Sequence, residues 1–213
     1  MYEDHLNKIA EIYPLKQIDI GDFSSFRISG MDFDVRTYEA FGLGHISLMR
    51  SKASFHLMEM DSLIIVPEEI DVPLFSADHI RAMGRHKFYL DQFDTLVQAK
   101  RTAGPFEQIV KEYDDLKDIH AKTHWYEDLQ IHTAAKQGKK EDRQRLEQFF
   151  EDYFSIYIEL CRDGRLCDEA AKREKTLYYV NGLLEHGGPA TDTFLKKWGR
   201  EKTEEFFLTA LFR

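Results

Sequence analysis

The stretch Met58–Val97, MEMDSLIIVPEEIDVPLFSADHIRAMGRHKFYLDQFDTLV, reads as a buried strand, an acidic turn, a carboxylate among apolar residues and a return strand. Ser62 to Val66 is a short aliphatic, β-branched run closed by Pro67, which suits a sheet interior. Pro73 pushes Val72 into an extended or turn geometry, so no helix continues through Asp71-Val72-Pro73. Directly behind it stand Leu74-Phe75-Ser76-Ala77-Asp78. Small residues before an Asp, with Leu74 and Phe75 to fill a wall, place a carboxylate at a pocket lip. Apolar surroundings raise the pKa of such a group and make it a proton donor. An Asp after a strand is ordinarily a turn former or a helix cap, and the stretch alone leaves both readings open.

The totals narrow the class. The 213 residues suffice for one sizeable core, and 16 Phe and 10 Tyr in a 43% hydrophobic chain make a globular composition. A net charge of −9 argues against general nucleic-acid binding, which needs concentrated Lys and Arg. Two cysteines, Cys161 and Cys167, form neither a disulfide framework nor a redox CxxC pair, and fit a reducing cytoplasm. The opening MYEDHLNKIAEIYPL lacks the apolar centre of a signal peptide, and no run approaches 18 apolar residues. A cytoplasmic protein without a membrane partner is expected.

Outward from the deciding stretch, the period changes twice. Residues 2–13 carry Leu6, Ile9, Ala10 and Tyr13 at helical spacing, which predicts a short amphipathic helix on the surface. From Gln17 to Ser62 short apolar alternations are punctuated by Gly21, Gly30, Gly42 and Gly44, as antiparallel strands joined by tight turns require. With 54–66 and 86–92 added, about six strands are expected. After Gly104-Pro105 the spacing is helical. Phe106 to Leu116 make a first helix; a polar loop follows, ending at Gly138-Lys139-Lys140. Leu146 to Leu160 make a long aromatic-striped helix, and Ala170 to Leu184 a third, stopped by Gly187-Gly188-Pro189. Two short helices close the chain, around 191–197 and 200–212. Strands first and helices afterwards predict one α+β domain over residues 1–213.

Rival chemistry is thin. His120 and His124, with Glu127 and His132 beyond, have metal-ligand spacing on a helix, but the segment has no apolar face and reads as solvated loop. The stripe from Phe149 to Tyr157 is a core pattern before it is a cofactor box. Neither GxGxxG nor GxxxxGK[ST] occurs, which argues against classical nucleotide binding. Three basic runs, Lys139-Lys140 with Arg143 and Arg145, Lys100-Arg101, and Arg81, Arg85 and Lys87, are solvated by default. On an acidic protein such a patch also suits an acidic electron carrier.

Two segments together resemble the ferredoxin-dependent bilin reductases, which reduce open-chain tetrapyrroles such as biliverdin. Asp71 to Asp78, between SLIIVP and HKFYLDQFDTL, is similar to that family's strand, Pro, acidic turn and Phe-Gly-(small)-Asp, followed by a second strand. Trp198-Gly199-Arg200-Glu201 through Phe206 to Leu211-Phe212 is similar to its closing aromatic-Gly-Glu-Glu-Trp and Leu-Phe pattern. The resemblance spans roughly residues 20–212. It implies a three-layer α/β/α sandwich, with a central antiparallel sheet, helices on both faces and a bilin pocket on the C-terminal side. It implies no bound flavin, nicotinamide or metal, with electrons arriving singly from reduced ferredoxin or flavodoxin, and a monomer. Asp78 matches the family's central proton donor, and Ser62, Ile64, Phe75 and Ser76 are implied to line the substrate.

The departures are specific. Some members carry a His where Ser62 stands, and Ser76 replaces the family Gly. Where many carry a second donating Asp, this chain reads Leu184-Glu185-His186-Gly187-Gly188-Pro189. Asp61 and His186 are the nearest candidates for secondary proton donors. A non-catalytic bilin- or haem-binding protein on the same scaffold is the alternative, and an unrelated α+β domain the plainest one.

Overall fold

The computed structural model describes residues 2–53, 57–119, 124–188 and 190–213. Nine strands among them join in one sheet: β1 (Leu15–Ile18), β2 (Ser25–Ile28), β3 (Met31–Ala40), β4 (Gly44–Ala53), β5 (Met58–Pro67), β6 (Leu74–Ala82), β7 (Arg85–Phe93), β8 (Lys117–Asp118) and β9 (Gln130–Lys139). Their order is β1-β3-β4-β5-β6-β7-β9-β8, with β2 also paired to β3, and the named pairings are antiparallel. Chain neighbours are spatial neighbours from β3 to β7, as short connections dictate.

Three expectations are corrected here. The sheet has nine strands rather than about six. Leu74–Ala82 is strand β6, so Asp78 stands in mid-strand and not just beyond a turn. The loop expected before Gly138 contains strand β9 over its second part. The β6–β7 reversal is a two-residue turn in which Met83 and Gly84 both hold positive φ, 50° and 72°. That geometry matches the twist of the flanking strands and pins their register, Asp78 opposite Tyr89 and Ser76 opposite Asp91.

Helices cover both faces, giving the α/β/α layering within an α+β fold. On the first face lie α1 (Tyr2–Ala10), α2 (Gly104–Glu112) and α3 (Arg143–Arg162). α1 is less superficial than its amphipathic pattern predicts: Tyr2, Leu6 and Ile9 are buried, and Tyr2 Oη donates to Ala77 O at 3.2 Å. The stripe on α3 is core as expected, with Phe149, Phe150, Tyr153, Phe154 and Tyr157 all buried. Each such ring contributes roughly 1.5–3 kcal/mol by leaving water. Cys161 lies in the same core, where burial pushes its thiol up to about 12.

On the second face lie α4 (Glu169–His186), α5 (Thr191–Trp198), α6 (Arg200–Phe206) and a π-helical turn, Phe207–Leu211. Asp168 caps α4, accepting from Ala171 N at 2.8 Å. Phe26, Phe33, Phe194, Trp198 and Phe206 pack edge-on and stacked beneath α5 and α6. A buried acid ties the β5–β6 connection to the rest. The Asp71 carboxylate accepts from Val97 N, Gln98 N and Ala99 N at 2.7, 2.7 and 2.6 Å, with Lys172 Nζ 3.7 Å away. Lys172 also donates to Val72 O.

Candidate active site

Alternation along the central strands sorts the deciding stretch onto two faces. Leu63, Ile65, Phe75, Ala77, Phe88 and Leu90 enter the first-face core. Ile64, Val66, Leu74 and Phe93 enter the second-face core. By the same parity Ser62, Ser76, Asp78, Tyr89 and Asp91 belong to the second face. There the cover is incomplete. Ser76, Asp78, Ile80, Tyr89, Asp91 and Ala135 are partly exposed and Thr133 is exposed, in contrast to the buried residues alternating with them. The result is a trough floored by β6, β7 and β9, with the buried Ser62 of β5 along its closed edge.

Asp78 sits on that floor. Its register partner across β5 is Ser62, whose hydroxyl donates to the Asp78 carboxylate. Surrounding protein strips water from the carboxyl and raises its pKa, and the Ser62 hydrogen bond offsets part of that rise. Part of the residue still meets solvent along the trough. Asp91 lies diagonally across the β6–β7 pair, an offset that puts such residues about 7–8 Å apart. Burial pushes Asp91 up to about 6, against hydrogen bonds from Thr133 and Gln130, the latter 2.8 Å from its oxygen, and with help from Asp78's charge.

Aromatic side chains form the wall toward α4. Tyr179 stacks on Phe93 at 4.3 Å, and Tyr126 meets Phe93 edge-on at 5.6 Å. Burial pushes Tyr126 up to about 12, and Asp91 and Asp78 add to it; Tyr179 is raised by burial and the same two acids. Both phenols are therefore neutral donors at physiological pH. Gly182 seats the wall: a Cβ there would come within 2.0 Å of the Trp125 ring. Trp125 Nε1 donates to Gly187 O at 3.1 Å, tying the wall to the end of α4.

The expected site residues divide. Ser62, Ile64, Ser76 and Asp78 share the second face. Phe75 does not: it is fully buried on the first face, stacked 4.6 Å from Tyr157. Strand parity puts it there once Asp78 is in the same strand three residues on. Asp61 also faces away from Asp78. Burial alone would raise its pKa, but Arg50 and Arg81, each 2.7 Å away, outweigh that and hold the carboxylate ionised. The two guanidinium groups hold it as an anion on the face opposite Asp78. His186 is exposed at the end of α4, its ring 5.4 Å from Trp125 and beyond the aromatic wall. Asp91, Tyr126 and Tyr179 were missed. For Asp91 the signal was available: a two-residue Met83-Gly84 turn sets the register that puts it beside Ser76.

A second cleft, of about 490 Å³, opens on the first face around Asp61, His79, Arg81 and Arg143. Arg81 there is also 2.9 Å from Glu59, and His79 Nε2 lies 3.0 Å from His86 Nδ1. Among the described residues no three His, Cys, Asp or Glu converge on a metal position. His120 lies outside the described residues, and His132 points into the first-face core, 2.7 Å from Tyr153 Oη. The basic runs separate too. Arg81, Arg101, Arg143 and Arg145 are ion-paired away from the trough, while Arg85, Lys87 and Lys139, the last 3.9 Å from Glu141, share the second face at the trough's open end.

No family model and no curated protein matches the sequence. Among solved structures, the fold is similar to that of phytochromobilin synthase from tomato in complex with biliverdin. The TM-score is 0.73 at 14% identity, over 97% of this chain and 80% of that one. At that identity the likeness establishes a shared fold.

Proposed function

We propose that this chain is an oxidoreductase of the bilin reductase type, reducing biliverdin or a related linear tetrapyrrole by alternating electron and proton transfers. The observation that carries the proposal is Asp78, a desolvated carboxyl on the floor of a half-open trough, in a fold shared with a biliverdin-bound phytochromobilin synthase. The trough suits a long, flat, conjugated ligand, with a sheet floor below and Tyr126 and Tyr179 along one side. Asp78 donates its proton to the tetrapyrrole as an electron arrives, and the Ser62 hydroxyl stabilises the carboxylate left behind. Ser76 and Ile64 shape the floor on either side. No flavin or nicotinamide is held; electrons come one at a time from reduced ferredoxin or flavodoxin. Arg85, Lys87 and Lys139 at the open end would meet such an acidic carrier.

Biliverdin titration, followed by anaerobic turnover with reduced ferredoxin, tests this. Wild-type protein is expected to shift the bilin spectrum and then bleach it into a reduced product. Asp78→Asn is expected to bind equally and to turn over at least 100-fold more slowly, as loss of a general acid commonly costs 10²–10⁴. Equal rates would remove Asp78 from the mechanism. Binding with no turnover by the wild type would identify a bilin or haem carrier instead.

A further inference from the structure

We propose that Asp91 is the second proton donor of this site, acting on the same bound tetrapyrrole as Asp78. The inference rests on the function proposed above. Hydrogenating one carbon–carbon double bond of a linear tetrapyrrole takes two electrons and two protons. The electrons arrive singly from the reduced iron–sulfur carrier, which is oxidised. Each proton leaves a carboxyl O–H for the substrate, and the resulting carboxylate regains its proton from solvent. Asp78 accounts for one. Among the described residues of β5, β6, β7 and β9, Asp91 is the other carboxyl on the trough floor, since Asp61 and Glu59 face the opposite side, where Arg81 binds both.

Geometry equips Asp91 for this role. It is one strand over and two residues along from Asp78, so a flat ligand lying on the floor spans both. Gln130 and Thr133, both from β9, hold its carboxyl in place. Partial exposure along the trough gives it a route for reprotonation. The groups facing it are Asp78 from β6, Tyr89 from its own strand, Tyr126 from the loop before β9 and Tyr179 from α4; Tyr153 lies behind the sheet. None of these is a cation that would hold Asp91 ionised. Its rise to about 6 leaves a substantial acid population near neutral pH.

The test compares wild type, Asp78→Asn and Asp91→Asn with biliverdin and reduced ferredoxin under anaerobic conditions. For Asp91→Asn the expected result is an unchanged binding titration, build-up of a one-electron-reduced radical seen by electron paramagnetic resonance, and at least tenfold slower product formation. Asp91→Glu is expected to restore part of the rate. The wild-type rate should fall as pH rises through about 6, and Asp91→Asn should lose that limb. Thr133→Val removes a bond that favours the carboxylate, so the limb should move to higher pH; this arm stands even if Asp91→Asn misfolds. Wild-type rate and pH profile in Asp91→Asn, or an unmoved limb in Thr133→Val, would overturn the inference while leaving the bilin reading intact. Failure of the wild type to bind or reduce biliverdin would overturn both.

Discussion

Asp78 and Asp91 are neighbours with the same problem, a carboxyl lifted from water without a cation to meet it. Asp61, one residue before Ser62, shows the contrast: two guanidinium groups outweigh its burial. The difference appears in stability as well as chemistry. A carboxyl whose folded pKa is raised favours the protonated fold, so it costs stability once pH exceeds its unfolded value. For Asp91 that cost grows from pH near 3.8 to near 6 and is constant above. Such a rise corresponds to a few kcal/mol at most, and the residue's partial solvent contact reduces it to about 1–2 kcal/mol. Asp91→Asn is therefore expected to be more stable than wild type at pH 7.5 and equal to it at pH 4. Urea unfolding at the two pH values measures this, and a gain that is the same at both would refute the raised pKa.

Elements were legible where packing alone chose their residues. α3 could be traced because burial chooses most of its inner face, β3 because one covered and one exposed side make it alternate, and β5 because two covered sides make it continuously apolar. β6 and β9 could not. In β6, Asp78 serves the trough while His79 and Arg81 serve the charged network behind it, so neither face shows an apolar period. In β9, Thr133, Ala135 and Gln137 line the trough, and Lys136 is buried against Asp118 at 2.8 Å. The strands that build the site were thus the ones whose pattern the site had erased. Asp78 is legible from its apolar and small neighbours, with the resemblance adding to that reading; Phe75 is not placed by it, because the strand already runs where a turn is expected. The β5–β6 connection, by contrast, is tied down by Asp71. Asp71→Ala would leave three backbone N–H groups and the buried Lys172 ammonium without their anion, at a cost of about 3–5 kcal/mol. Lys172→Met keeps the three N–H bonds and should cost less, and the double variant should cost less than the sum. Denaturant melts of the four proteins decide it; a loss below about 1 kcal/mol for Asp71→Ala would mean the connection is held otherwise.

At the scale of the whole molecule, one sheet separates two environments. The first face is covered by α1, α2 and α3 around aromatic residues, apart from the charged cleft at Asp61 and Arg81. The second is closed only over β2 to β5, where α5 and α6 sit, and left open over β6 to β9, where the titratable floor lies. Charge follows the same division. The protein carries a net −9, yet Arg85 and Lys139 are register partners at the open end of the floor, with Lys140 next in the chain. An acidic carrier repelled by the protein as a whole would be drawn to that end. Arg85→Glu with Lys139→Glu should therefore raise the KM for reduced ferredoxin about tenfold at low ionic strength, with the biliverdin titration and the rate at saturating carrier unchanged. The difference should fade at about 0.5 M salt, where screening acts within a few ångströms. The KM measured at both salt concentrations tests this, and equal values at low salt would place the docking surface elsewhere.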